Sequence, residues 1–262
     1  TFNVWAINAF GYSAPSDASS SFTPALTRAY WIARTTVNLH YSDITTTGNS
    51  TNWGAAMRYA TYNTPTMSSS TRAVVTGFEN DSSQARSKYI EQMNLSTAGT
   101  STLFGEIASN AAKYGFGLSN GTRGCFSIGA EDSTIKNTIE YVTIASAGNA
   151  TDFGDMTQAV YLAAACASPT RGMIGGGNTG STRVNRLEYI TIASTGNATD
   201  TGDLVSDTDG PASCSSSTRG LWCGGDINTG TVNKIEYQTI ASGGNSSDFG
   251  DLTNTLRYGG AG

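Results

Sequence analysis

The chain is 262 residues long, only 13% of them charged, with a net charge of −5 and a pI near 4.8. An acidic surface with scattered Lys and Arg makes no phosphate-tracking groove, so no nucleic-acid partner is expected. No run of 18 apolar residues occurs, so no membrane insertion through an apolar helix is expected either.

The first element is an alternating stretch, Thr1 to Asn8, that runs into Gly11-Tyr12-Ser13-Ala14-Pro15-Ser16. Period 2 followed by Gly and Pro predicts a strand and a turn. There is no signal peptide or initial Met, and the alternation is already under way at residue 1, which predicts that a longer polypeptide precedes it. Phe2, Val4, Ala6, Asn8, Gly11, Ser13 and Pro15 stand in the order found at the end of a fibronectin type III domain, which this segment resembles. The resemblance implies that residues 1–24 are the last strands and linker of such a domain, with the rest of the sandwich upstream. A plain N-terminal hairpin is the other reading.

From residue 25 onward the chain repeats. A Thr-Arg pair opens a short apolar run at Thr27-Arg28, Thr71-Arg72, Thr122-Arg123, Thr170-Arg171 and Thr218-Arg219, with the arginines 44, 51, 48 and 48 residues apart. A period of this size means one small unit stacked or arrayed several times. About a dozen polar and Gly residues later comes an apolar-polar-aromatic triplet ending in Tyr41, Tyr141, Tyr189 or Tyr237, whereas the second unit has Ile90-Glu91-Gln92. A Gly/Asn turn follows, as in Gly148-Asn149, Gly196-Asn197 and Gly244-Asn245. Next is an aromatic-Gly pair led by Trp53, Phe104, Phe153 or Phe249, with Thr201-Gly202 as the weak member.

The segments are short, alternating and rich in Ile, Val, Tyr and Thr, and no window of twelve holds a helical period. Each unit therefore reads as four strands, a to d, with b opening on the Thr-Arg. The a strands are predicted near 57–62, 113–118, 160–166, 208–214 and 256–262, and the first unit lacks one ahead of Thr27. Four-stranded sheets at a period near 48 suit a β-propeller, in which radial repetition leaves short edges. Five blades close if the C-terminal strand pairs into the first blade, removing open edges; the alternative is a longer array continuing past residue 262.

The units resemble kelch repeats through Arg257-Tyr258-Gly259, Gly224-Gly225, Ile235-Glu236-Tyr237 and Phe249, with Gly176-Gly177 and Phe153 in earlier units. Thr76-Gly77 and Ile128-Gly129 replace the double glycine, and Ala33-Arg34 lacks it. The resemblance implies that residues 25–262 form an all-β, five-bladed kelch-like propeller of four-stranded blades. The wording from Tyr189 to Asp200, recurring at Tyr141 to Asp155 and Tyr237 to Asp251, also resembles repeats in structural proteins of tailed phages of aquatic bacteria. That resemblance implies a virion location, in a tail fibre or appendage. It also implies other virion proteins as partners, homo-oligomerisation and a host-surface carbohydrate as target. A bacterial surface or filament adhesin is the second reading, at the cell surface, and a glycan-cleaving propeller the third.

Catalytic motifs are not found. His40 is the only histidine, no Gly-x-Ser-x-Gly elbow or P-loop occurs, and most acidic residues recur at repeat positions, as scaffold groups do. No enzyme activity, cofactor or metal is therefore expected. Asn149/Asp152/Asp155, Asn197/Asp200/Asp203 and Asn245/Asp248/Asp251 could offer oxygen ligands to Ca²⁺, but their residue types equally make turns. Cys166 and Cys214, 48 apart, are read as small buried hydrophobes in the strand before Thr-Arg, and Cys214 and Cys223 flank one turn where a disulfide could form. A structural role is assigned to Arg28, Arg72, Arg123, Arg171 and Arg219, to Tyr41, Tyr141, Tyr189 and Tyr237, and to Trp53, Phe104, Phe153 and Phe249. Each arginine is expected to cross a turn to carbonyls or to Glu140, Glu188 or Glu236; together they could alternatively hold an acidic glycan.

Overall fold

The computed structural model describes residues 7–8, 11–12, 28–32, 38–43, 45–57, 65–76, 87–97, 99–109, 113–131 and 133–258. Among these every regular element is a strand, and all strand pairs are antiparallel, apart from one parallel single-residue bridge. Ile7–Asn8 pairs with Gly11–Tyr12 as a hairpin. The other residues carrying the fibronectin resemblance lie outside the described residues.

Five larger sheets then follow in sequence, and two two-stranded hairpins, Ala130–Glu131 with Thr134–Ile135 and Asp226–Ile227 with Gly230–Thr231, lie in the b–c connections of the third and fifth. Sheet 1 has three strands, Arg28–Ile32, Asn38–Asp43 and Thr51–Ala56. Sheet 2 has four, Thr66–Ser68, Arg72–Thr76, Tyr89–Asn94 and Thr102–Glu106. Sheet 3 comprises Gly117–Ser119, Arg123–Ser127, Thr138–Thr143 and Thr151–Asp155. Sheet 4 comprises Ala164–Ala167, Arg171–Gly175, Arg186–Thr191 and Thr199–Asp203. Sheet 5 comprises Ala212–Ser215, Arg219–Cys223, Lys234–Thr239 and Ser247–Asp251. Strands are hydrogen-bonded in chain order in every sheet, so each is a simple meander, and strand b starts on the repeat arginine in all five.

The a strands lie a few residues later than the sequence predicts, starting at Gly117, Ala164 and Ala212. The cause is a left-handed backbone just before them, at Tyr114 (φ 58°), Leu162 (φ 58°) and Gly210 (φ 61°). Such a conformation cannot continue a strand and is costly for a side chain as large as Tyr or Leu. The residue before each of them, Lys113, Tyr161 and Asp209, instead bridges to the loop between strands b and c. Of the predicted 57–62 strand, residues 58–62 lie outside the described residues, and the first strand of sheet 2 is Thr66–Ser68. Tyr258 repeats the left-handed turn (φ 57°), Leu256 to Tyr258 form no strand, and 259–262 lie outside the described residues.

The aromatic-Gly pair has a specific geometric role. In sheet 3, Ile139 pairs with Gly154 and Glu140 with Asp152, which leaves Phe153 as the extra residue of a β-bulge. The same shift leaves Phe104, Thr201 and Phe249 unpaired in sheets 2, 4 and 5. A bulge re-aims its side chain, and here it drives the ring onto the sheet face. The glycine permits the next sheet to approach: a Cβ on Gly105, Gly154 or Gly202 would overlap the carbonyl of Gly148, Gly196 or Gly244 in the following unit.

Among the described residues the core lies between sheets 2 and 3, 3 and 4, and 4 and 5. Leu118, Cys125, Ile139 and Phe153 of sheet 3 meet Ile174, Ile190 and Ile192 of sheet 4. Met67, Val74, Ile90 and Phe104 meet Phe126, Val142 and Ile144 in the same way. Between sheets 4 and 5, where Thr201 stands at the aromatic position, Trp222 supplies a large buried ring from the opposite sheet. The a strands of neighbouring sheets also touch, with Ser213 Oγ donating to the Ala165 carbonyl (2.9 Å) and Ser215 Oγ to that of Ala167 (2.7 Å).

Candidate functional site

Two arrangements carry the polar chemistry of the described residues. The first is the joint that recurs from sheet to sheet. Arg123, Arg171 and Arg219 lie over the rings of Tyr141, Tyr189 and Tyr237, with the guanidinium carbon 4.3, 4.2 and 4.7 Å from the ring centroids. Tyr141 and Tyr237 meet the bulged Phe153 and Phe249 edge-on, as Tyr41 meets Trp53. The guanidinium then reaches across the joint. Arg72 Nη1 donates to the Ile144 carbonyl (2.7 Å), Arg123 Nη1 to that of Ile192 (2.8 Å), and Arg171 Nη1 to those of Ile240 and Ala241 (3.0 and 2.8 Å). The carbonyls therefore belong to the next sheet. The side chain of Arg28 lies outside the described residues.

The repeat glutamates do not pair with these arginines. Their side chains point to the opposite sheet face and are buried, so each accepts from the unit before it. Glu140 Oε2 accepts from Ala108 N (3.0 Å), Glu188 Oε2 from Thr157 N (3.2 Å) and Glu236 Oε2 from Val205 N (2.8 Å). Burial pushes the Glu140 carboxyl above its ordinary range, opposed by the Ala108 N–H and the Ser109 hydroxyl. Asn149, Asn197 and Asn245 complete the joint by accepting from the N–H of Glu106, Asp155 and Asp203. Asp152, Asp200 and Asp248 accept from the N–H two residues on, as turn-forming Asp does. The Asn/Asp sets thus spend oxygens on backbone donors, and no group of three metal-ligating side chains occurs among the described residues.

At sheet 5 no described residue covers the far side of the joint. Phe249 is 52% exposed where Phe153 is 2%, and Leu221 and Ile235 are only half-buried. The Arg219 guanidinium has no hydrogen-bond partner among the described residues, and a Cβ on Gly250 would meet nothing. Cys214 and Cys223 share this face, diagonal to one another in the pairing of strands a and b, and both are free thiols. A hydrogen bond from Cys223 lowers the Cys214 thiol to about 6 and raises that of Cys223. Cys125 and Cys166 are buried, which pushes both up to about 12.

The second arrangement lies at the other end of the sheets, where the b–c loops meet the connections into strand a. Arg183 Nε approaches Asp209 Oδ2 at 3.0 Å, and its Nη2 approaches Asp226 Oδ2 at 3.5 Å. Arg257 Nη1 reaches Asp226 Oδ2 at 2.7 Å. Asn178 Nδ2 donates to Asp209 Oδ2 (2.8 Å) and Thr231 Oγ1 to Asp226 Oδ1 (2.6 Å). Both carboxylates are buried, and burial together with Asp209 pushes the nearby Tyr161 hydroxyl up. Two buried acids held by two arginines form a charge-balanced clamp on four connecting segments, and breaking such a pair from one side leaves a buried unpaired charge.

Sequence reasoning did not single out this clamp, although a signal was present. Asp209 and Asp226 stand where the preceding unit has Tyr161 and Asn178, so they depart from the repeat. His40, which holds the glutamate position in the first unit, pairs with Trp31 and Asn52 in sheet 1. No protein-family model matches this chain, and no curated protein matches it.

Proposed function

We propose that the five sheets are blades of a kelch-like β-propeller that serves as a non-enzymatic module of a virion appendage or tail fibre and contacts carbohydrate on the host surface. The observation that carries the architectural part is the joint repeated between sheets 2 and 3, 3 and 4, and 4 and 5, and left without a described partner at sheet 5. Each of sheets 2 to 4 offers the next an arginine, a bulged side chain and a bare glycine, and receives a carbonyl, an asparagine and a glutamate. Sheet 5 offers the same set to no described residue. In the sequence the first unit carries the complementary residues at repeat spacing, with Gly48-Asn49 as the turn and His40 in place of glutamate. A ring closed by sheet 1 against sheet 5 satisfies both and removes an exposed apolar face.

Closure has a chemical readout. Cys214 is half-buried on an open face, where a hydrogen bond from Cys223 favours its thiolate. In the closed ring it is covered as Cys166 is, so all four thiols are expected to resist iodoacetamide at pH 7.5 until the chain unfolds. Rapid alkylation of Cys214 alone, mapped by mass spectrometry, would mean that the last face stays open.

The non-enzymatic part draws support from the acidic residues. The two buried acids that break the repeat, Asp209 and Asp226, are each neutralised by arginine, which suits a structural clamp better than proton transfer. The virion location rests on the resemblance of the Tyr189 to Asp200 wording and its recurrences to phage structural repeats. Electron microscopy of the native assembly at side-chain resolution tests it. A five-bladed ring on a phage appendage is the expected result. A filament built of this chain without capsid or tail would overturn it in favour of the bacterial adhesin.

A further inference from the structure

The second unit departs from the repeat at one position of the joint. Where the other units have Tyr41, Tyr141, Tyr189 and Tyr237, it has Gln92. Arg72 accordingly has no tyrosine beneath it, and its guanidinium carbon stands 6.0 Å from the Phe104 ring instead. A cavity of about 270 Å³ opens at this place, between the end of strand c and the turn into strand d. Its walls include Arg72, Gln92, Asn94, Thr71, Thr97 and Thr102. The three threonines and Asn94 are exposed, so the cavity is reached from solvent.

Three features of this cavity point to a ligand. Arg72 donates to the Ile144 carbonyl (2.7 Å), and no carboxylate pairs with it among the described residues, which places a half-buried guanidinium at the cavity wall. Gln92 is half-buried and lines the cavity with an amide side chain where the other units have a tyrosine ring. The remaining walls are mostly hydroxyls and an amide, which match a polyhydroxylated ring. The volume falls just below that of pockets for drug-sized molecules, which begin at about 300 Å³, and so suits a single ring.

We propose that this pocket binds a carboxylated pyranose, a uronic-acid residue of a surface polysaccharide. Its carboxylate accepts charge-assisted hydrogen bonds from Arg72, and its ring hydroxyls meet Gln92, Asn94 and the threonines. This rests on the host-carbohydrate reading above and gives that reading a place and a ligand class.

The test is calorimetric titration of the full chain with methyl β-glucuronide, methyl β-glucoside and acetate. Wild type is expected to bind the glucuronide at least about tenfold more tightly than either control, each of which lacks one half of the recognised chemistry. Gln92→Tyr restores the repeat residue and fills the cavity; its unfolding midpoint, no lower than that of wild type, checks that the fold is kept. It is expected to lose at least tenfold in glucuronide affinity. Unchanged affinity in Gln92→Tyr, no glucuronide binding by wild type, or equal binding of acetate each overturns the pocket. Adsorption of wild type to isolated host-surface polysaccharide measures the broader reading separately. Adsorption that persists in Gln92→Tyr sinks the pocket alone, whereas no adsorption of wild type sinks the host-carbohydrate reading.

Discussion

Phe153→Ala is expected to lower the unfolding free energy by about 3–5 kcal/mol, the range for removing a buried aromatic ring from a packed core. Phe153 is 2% exposed, lies between sheets 3 and 4 and meets the Tyr141 ring edge-on at 6.0 Å. As the extra residue of the bulge it has no cross-strand neighbour to relax into its place, so the cavity stays open. Urea unfolding of the variant against wild type reads the loss as a lower midpoint at unchanged slope. Phe249→Ala belongs in the same experiment. In a closed ring it costs as much as Phe153→Ala; on an open face the half-exposed ring is worth far less. A loss below about 1 kcal/mol for Phe153→Ala would mean that the sheets do not pack through the bulged ring.

Arg171→Ala is expected to cost about 2–4 kcal/mol. The guanidinium stacks on Tyr189 at 4.2 Å, a contact worth roughly 0.5–2 kcal/mol. It also donates to two carbonyls of the next unit, and hydrogen bonds from a charged group contribute roughly 1.5–3 kcal/mol. The two contributions share one side chain and do not add fully. Arg171→Lys keeps the charge but not the planar stack or the fork of donors, so it is expected to recover less than half of the loss. If instead Arg171→Ala leaves the unfolding midpoint unchanged while abolishing adsorption to polysaccharide, the arginines belong to a binding surface and their structural assignment fails.

Both variants probe a joint that is chemically the same from one pair of sheets to the next. This also accounts for the burial of Glu140, Glu188 and Glu236 in a chain with so few charges: each sits at a sheet-to-sheet boundary with hydrogen bonds in place of solvent. A buried carboxylate is tolerated when its lone pairs are filled by fixed donors. Here the donors are backbone N–H groups leaving strand d of the previous unit, together with nearby hydroxyls.

What the sequence alone determined was the local periodic structure. Its Thr-Arg phase marks the start of strand b in every sheet, and the triplets mark strand c. Alternation of Ile, Tyr and Val excluded helices, because both signals come from neighbours along the chain. The aromatic-Gly pair was visible too, but not as a bulge, since a bulge depends on the register against strand c. Only the tertiary structure decided where long side chains reach. Nothing local distinguishes an arginine that crosses its own turn from one that bonds a carbonyl 69 residues away, as Arg123 does with Ile192. The start of strand a was likewise set from outside, because Tyr114 and Leu162 have no residue-type preference for the left-handed region that displaces it. Gln92 stood out in the sequence only as a missing aromatic, and Asp209 did not stand out at all; packing turns one into the wall of a cavity and the other into half of a buried clamp, because a departure from the repeat acquires a physical meaning only through what the neighbouring units place against it.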